Sequence, residues 1–306
     1  MHYRYVSISI ELARRLLILE EGDRFDSIKK LSEDFDVGRG TIQTALSRLV
    51  EDGALEIESL AQQGSYIKKV NRPLLLKAAQ LEEVIGTLPI TYSRLYLGLA
   101  TGLHQAFENS DMSLILAQVR GAKNRLNFLQ SSRCDFMIIS KLTWNRIQDD
   151  EDLTLLFEFG PGSNVSKHVL LVRNEFANEI SEGMRIGVDS SSFDHLQLTL
   201  KEFNGKNVQL VETSYGQTID KLITGEIDAT IWDAGIWDVG IISQPDSLRM
   251  IPLTQYEVEQ IDNTIACLVV KKDNKALNQL LLKCINPEAV VETQKQVMAY
   301  KITPSF

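Results

Sequence analysis

Between Asp26 and Leu49, apolar residues recur at helical spacing in two short runs separated by a polar break. Ile28, Leu31 and Phe35 form one stripe, and Ile42, Ala45, Leu46, Leu49 and Val50 form the next. Two helices with such stripes bury them by packing together. Asp26 or Ser27 can cap the first helix by accepting bonds from its free N–H groups, and the second is predicted over Arg39–Glu51. Asp36 tolerates a left-handed backbone and Gly38 can cap the second helix, so residues 36–38 read as a tight turn. Upstream, Ile10–Leu19 offers a third helix, ended by Gly22. Downstream, Gly53 stops the second helix, Ala54–Glu58 alternates like a strand, and Gln62–Ser65 turns into Tyr66–Val70. Two strands and a turn behind a helix-turn-helix make a wing.

Opposite its apolar stripe the second helix carries Arg39, Gly40, Thr41, Gln43, Thr44, Ser47 and Arg48. Such small, polar or planar donors suit a major groove, where Arg pairs with guanine and Gln with adenine. A helix meant only to face water would more often carry Glu–Lys pairs. Next comes NRPLLLKAAQLEEVIGTLP, with apolar positions at helical spacing that predict a connecting helix over Leu74–Ile85. It is either a spacer packed on its neighbour or a dimer contact.

From Ile90 the pattern repeats. Each copy has a short strand, a serine-bearing loop, and a long amphipathic helix ending in Phe107 or Phe203. A second strand follows at Leu114 or Leu210, a glycine turn at Gly121 or Gly216, another helix, and a third strand opening with Asp135 or Asp228. Two such βαβαβ units predict two parallel-sheet lobes with right-handed crossovers, and ligands in such sheets bind beyond the carboxyl ends of the strands. Further strands are expected at Leu153–Phe159, His168–Arg173 and Ile265–Lys271. The expected organisation is a winged domain over 1–71, a linker helix over 72–88 and a bilobed domain over 89–306. Its first lobe would take about 89–165 and 250–306, and its second about 166–249.

With 306 residues the chain is long enough for a small and a large domain, each with its own core. A net charge of −9 argues against broad adhesion to nucleic acid or anionic membranes, so DNA binding would be focused on one patch. Through Val70 there are 10 basic and 12 acidic residues, which leaves local clustering of Lys29, Lys30, Arg39, Arg48, Lys68 and Lys69 to supply phosphate contacts. Cys134, Cys267 and Cys284 are few, odd in number and widely spaced, which favours a reducing compartment. No apolar run reaches membrane-spanning length, and a cytoplasmic protein is expected.

The first part of the chain resembles the DNA-binding domain of GntR-type regulators, through GDRF at 22–25, KKLSEDF at 29–35, VGRGTIQTALSRL at 37–49, EDGALE at 51–56 and QGSYI at 63–67. It departs from that family's usual Ser and Arg at Gly38 and Gln43, and its wing is less basic. By position the resemblance implies that Lys29, Arg39, Gln43 and Gly64 contact DNA, with Thr41, Thr44 and Arg48 on the same reading face. The duplicated part, with QSSRCDFMIIS at 130–140 and TGEIDATIWD at 224–233, resembles type 2 periplasmic-binding-protein folds. Together the two parts are similar to the YhfZ group of regulators. That implies an N-terminal winged helix-turn-helix, a C-terminal α/β bilobed domain, and a repressor or activator answering to a small ligand.

Topology then nominates the cleft. Loops between strands and helices present free N–H groups to anions. In the first lobe these are Tyr92, Ser93 and Arg94, then Gly121 and Ser140; in the second, Ser190, Ser191 and Ser192, then Tyr215, Gly216 and Asp233. The serine cluster suits a carboxylate or phosphate, although capping is each serine's commoner role. Asp233 is either a holder of a ligand amine or a solvated or structural carboxylate; with the serines, the expectation is an anionic or amino-acid-like effector. Trp232 and Trp237 are further candidates for the cleft, although strand tryptophans are more often core. His2, His104, His168 and His195 are scattered, and FGPGSNVS at 159–166 is a mobile loop at the lobe junction and no phosphate loop. No metal, cofactor or catalytic residue is expected. A homodimer on double-stranded DNA is the leading reading, since one module makes few base contacts. The alternatives are an enzyme on the bilobed fold and a winged domain that docks protein.

Overall fold

The computed structural model describes residues 2–60, 64–91, 93–176, 182–235, 245–254 and 257–306. They cluster into two compact units, one of 1–84, 107–115 and 273–285, the other of 85–106, 116–272 and 286–306.

In the first unit, α1 (His2–Leu17) buries Leu12, Ala13, Leu16 and Leu17. It starts earlier and stops sooner than the expected Ile10–Leu19. A short strand β1 (Arg24–Phe25) was not anticipated. Ser27 caps α2 (Ile28–Asp34) by accepting from Lys30 N at 3.2 Å. Asp36 then takes φ 51° and Gly38 opens α3 (Arg39–Glu51), as the turn chemistry required. Ile42, Ala45, Leu46 and Leu49 are buried, but Val50 is 40% exposed. At 100° per residue it lies 80° from Ile42, at the margin of the stripe. The side chain of Arg15 ties α1 to the α2 region through Asp26 and Asp34. β2 (Leu55–Leu60) and β3 (Gly64–Val70) pair antiparallel, and β1 joins β3 to give a three-stranded wing.

α4 (Arg72–Ala79) is capped by Asn71 and packs on α1, where Arg14 Nε donates to Ala79 O at 3.0 Å. It ends far short of Ile85. Gln80 turns left-handed at φ 53°, and β4 (Glu83–Leu88) follows. The segment read as the end of a linker helix is therefore the first strand of the first repeat, which begins before Ile90.

The chain continues through α5 (Arg94–Phe107), β5 (Ser113–Gln118), α6 (Ala122–Gln130), β6 (Phe136–Ser140), α7 (Lys141–Ile147) and β7 (Leu153–Glu158). β8 (His168–Arg173) leads into the second copy: β9 (Arg185–Val188), α8 (Phe193–Glu202), β10 (Gln209–Glu212), α9 (Thr218–Ile223) and β11 (Ala229–Asp233). β12 (Leu248–Pro252), α10 (Glu257–Thr264), β13 (Ala266–Lys271), α11 (Lys275–Cys284) and α12 (Pro287–Met298) follow outside the repeat. The two five-stranded sheets run β5-β4-β6-β13-β7 and β10-β9-β11-β8-β12. They are mixed and not wholly parallel. β4 and β6 are parallel, as are β9 with β10 and β11, whereas β13 and β8 run antiparallel in the fourth place. β12 pairs with β8, so residues 250–252 belong to the second sheet.

The duplication reaches individual hydrogen bonds. Asp135 Oδ2 accepts from Ile85 N at 2.8 Å, and Asp228 Oδ2 accepts from Arg185 N at 2.7 Å. Each carboxylate, placed just before the third strand, thereby fixes that strand beside the first. The sheets bury residues such as Met137, Ile139, Cys267 and Val269 in one lobe and Leu170, Val172, Ile186 and Ile231 in the other.

Candidate functional site

Two surfaces draw together the polar residues left over after the cores are built. The first is the outer face of α3, where Arg39, Gly40, Gln43, Thr44, Ser47 and Arg48 are exposed. Gly40, Gln43, Thr44, Ser47, Arg48 and Glu51 line a shallow depression there. Among the described residues no side-chain hydrogen bond or ion pair engages Arg39, Gln43 or Arg48. Thr44 Oγ1 bonds back to Gly40 O at 2.9 Å. Gly38 supplies no side-chain cap, so the first turn of α3 keeps free N–H groups. Thr41 is half-buried at the edge of this face. Lys29 lies exposed on α2, 3.9 Å from Glu33. Gly64 sits in the wing at φ 101°, under the Arg24 guanidinium, where an added Cβ would come within 2.7 Å of Arg24 Nε.

The second surface is a cavity of about 120 Å³ between the two sheets of the bilobed unit. One lobe supplies Ser93 and Tyr96 from the start of α5, Gly121 and Arg125 from the start of α6, Ser140 from the end of β6, and Asn164 and Asn263. The other supplies His168 from β8, Asp189, Ser192, Asp194 and His195 around the start of α8, Tyr215, and Asp233 from the end of β11.

The lobes are clasped across this cavity. Arg120 donates from Nε and Nη2 to the two carboxylate oxygens of Asp189, each at 2.9 Å. Lys123 N donates to Ser191 O at 3.1 Å, and Thr143 Oγ1 donates to Asp194 Oδ1 at 2.7 Å. Gly121, at φ 74°, lets the two backbones approach: a Cβ there would lie 2.3 Å from Ser191 Oγ and 2.6 Å from Ser191 O. The Lys123 and Arg146 cations each lie over the Phe193 ring, 5.5 and 5.0 Å from its centre.

Burial sets the protonation states. It pushes the His168 ring down to about 3, with His195 adding to the effect. His195 is also pushed down by burial, and its Nδ1 accepts from Asp189 N at 3.1 Å while Nε2 donates to Ile231 O at 2.9 Å. Both rings are neutral. Burial lowers Arg125 to about 10, opposed by Tyr96 and Asp194, and its Nε and Nη1 each donate at 2.9 Å to the carbonyls of Ile138 and Val119. Burial raises the Asp194 carboxyl, against the bonds from Ser140 and Thr143. At Asp189 burial also pushes upward, but Arg120 and Ser191 outweigh it and the carboxyl stays below its ordinary value.

Of the residues nominated from sequence, Ser93, Gly121, Ser140, Ser192, Tyr215 and Asp233 line the cavity. Arg94 does not: its Nε donates to Val297 O at 2.6 Å and its guanidinium stacks on Tyr300. Helical geometry turns it toward α12. Ser190 and Ser191 also lie outside the lining. Ser190 N donates to Glu212 Oε1, and Ser191 serves Asp189 and the lobe contact. Ser192 caps α8 by accepting from His195 N. Tyr92 and Trp237 lie outside the described residues. Trp232 is core, stacked on Tyr215 at 4.4 Å. The loop expected to be mobile is pinned: Ser163 and Asn164 are buried, and Asn164 Oδ1 accepts from Tyr96 OH at 3.1 Å. Sequence reasoning missed Tyr96, Arg125, His168, Asp189, Asp194, His195 and Asn263. Arg125 had a signal, one helical turn beyond Gly121.

No group of three or more His, Cys, Asp or Glu residues positioned for a metal occurs among the described residues, and no helix there is long and apolar enough to cross a membrane. A family profile described as the YhfZ C-terminal domain matches residues 71–306, and a helix-turn-helix domain profile matches 20–67. A protein of Escherichia coli (strain K12) called "Uncharacterized protein YhfZ" is 29% identical over 295 residues, covering 96% of this chain and 95% of that one. The crystal structure of YhfZ from Shigella flexneri aligns with a TM-score of 0.61 at 27% identity, over 76% of this chain and 97% of that chain. The periplasmic aliphatic sulphonate binding protein SsuA of Escherichia coli aligns with a TM-score of 0.50 at 14% identity, over 72% and 74%. The bilobed unit has the type 2 periplasmic-binding-protein fold.

Proposed function

We propose that this chain, which belongs to the YhfZ family, is a ligand-responsive, sequence-specific DNA-binding transcriptional regulator of GntR-like type. It acts on double-stranded DNA as a cytoplasmic homodimer, with a small-molecule effector held in the cleft. The observation that carries this reading is the α3 face, whose exposed Arg39, Gln43 and Arg48 have no intramolecular partner among the described residues. Groups built to stabilise the fold would be paired; these are left for an external acceptor. The uncapped first turn of α3 adds N–H groups for a phosphate. A dimer doubles the few base contacts one module makes.

The cleft supports sensing more than turnover. Both nitrogens of His195 are occupied by backbone groups, and His168 holds a depressed pKa, so neither ring is poised as a general base near neutral pH. A clasped pair of lobes gives an effector two states to choose between, which regulation requires.

The test is selection of duplexes from a randomised pool, followed by anisotropy titration of the enriched sequence across a salt series. A sequence-specific complex whose affinity falls with salt, and weakens at least tenfold in Arg39→Ala, is expected. Failure to enrich any sequence, with Arg39→Ala indistinguishable from the parent, would remove α3 as a reading helix and favour protein docking.

A further inference from the structure

The charged lining of the cavity is lopsided. It contains three carboxylates, Asp189, Asp194 and Asp233, against two guanidiniums, Arg120 and Arg125. The Arg120 fork is committed to Asp189, and two arms of Arg125 are committed to backbone carbonyls. Both histidines are neutral, so they add no positive charge.

One pole of the cavity concentrates acceptors. Asp233 stands opposite His168 in the β11–β8 register. His168 Nδ1 is 2.7 Å from Asn263 Nδ2, and Asn263 O accepts from Asn164 Nδ2 at 2.8 Å. That orientation leaves Asn263 Oδ1 buried, at 1% residue exposure, with no hydrogen-bond partner. A buried carbonyl oxygen without a donor costs about 1 to 3 kcal/mol, and Asn263 is one of the residues lining the cavity, so a donor reaching that oxygen from the cavity would relieve the cost. Tyr96 and Tyr215 border the same space.

We propose that the effector carries a protonated amine, which seats at this pole and donates N–H bonds to Asn263 Oδ1 and the Asp233 carboxylate. This rests on the cleft being the effector site. An ammonium offsets the carboxylate surplus and supplies the missing donor in one step, whereas an inorganic anion or a simple carboxylate would meet Asp233 with like charge. A cavity of about 120 Å³ has room for a small metabolite and not for a peptide.

The experiment uses the full chain and three matched sets of small probes, linear alkylamines, alkanoates and alkanols of about three to eight carbons, compared at equal chain length. Thermal shift and Trp fluorescence, to which Trp232 beside Tyr215 contributes together with Trp144 and Trp237, are read for each. Stabilisation confined to the amines, weakened at least tenfold in Asp233→Asn, is expected. Alkanoates binding instead, or all three sets binding alike, would overturn the cationic ligand while leaving the cleft as the binding site. Silence from every probe in both readouts would overturn the cleft reading itself and this proposal with it. If Asp233→Asn fails to fold, the contrast between amines and alkanoates on the parent chain still decides.

Discussion

Replacing Gly121 by Ala should prise the lobes apart. Gly121 has φ 74° and ψ 138°, a region open almost only to glycine, so any side chain brings about 1 to 3 kcal/mol of backbone strain whatever the lobes do. The further cost falls on the closed form alone. The new Cβ would stand 2.6 Å from Ser191 O, which belongs to the backbone and cannot swing aside, and must withdraw by about 0.4 Å merely to reach 3.0 Å. Overpacking of this kind costs about 1 to 3 kcal/mol, and loss of the Lys123 N to Ser191 O bond about 0.5 to 1.5 kcal/mol more. Together these shift the closed-to-open ratio by more than about tenfold. Hydrogen exchange at the Lys123 amide reads this directly and should accelerate by at least that factor, while amides inside β6 and β13 keep their protection. Gly121→Ala with Ser191→Gly should recover only the part due to the hydroxyl. A folded Gly121→Ala protein with unchanged exchange at Lys123 would refute the idea that this contact holds the lobes.

Three further outcomes are expected from the geometry. Arg39→Ala and Gln43→Ala should each cost about 1 to 3 kcal/mol of discrimination at one base position, read by anisotropy against single-base variants of the selected duplex; uniform weakening would make them phosphate contacts. Ser192→Ala should lower stability by about 1 kcal/mol in denaturant titration because it removes the α8 cap, and Ser192→Gly by only a few tenths; a larger loss for Gly would show that capping is not its role. The folded pKa of His168 is depressed from 6.5 to about 3, so its stabilising contribution is complete above about pH 6.5 and fades as pH falls from there toward 3. At pH 5 the loss is about 2 kcal/mol at most, and melting curves of His168→Gln should fall less steeply over that window; identical pH profiles would show that the ring is not held neutral.

The reading helix was legible in the sequence because a one-sided apolar stripe, a turn at Asp36 and a glycine boundary all agree on its limits. β4 was not, since Leu74 to Ile85 keeps helical spacing across a break made by Gln80, a residue that does not announce a left-handed turn. Its inner residues are buried on both faces, so no alternation betrays a strand. In the cleft, residues at the carboxyl ends of parallel strands, such as Ser140, Tyr215 and Asp233, could be placed from topology. Arg94 failed because a helix start fixes where the chain lies and not which way a side chain turns. His168 and Asn263 come from an antiparallel strand and a helix outside the repeated units, and only the folded register brings them beside Asp233.

Coupling between cleft and reading helix is tested most directly by one titration. The selected duplex is titrated with the same preparation of the full chain, alone and saturated with an alkylamine that stabilises it. The regulator reading predicts a change in DNA affinity of about 5- to 150-fold, the 1 to 3 kcal/mol usual for linked sites. Identical affinity in the two arms, with the amine demonstrably bound, would contradict it.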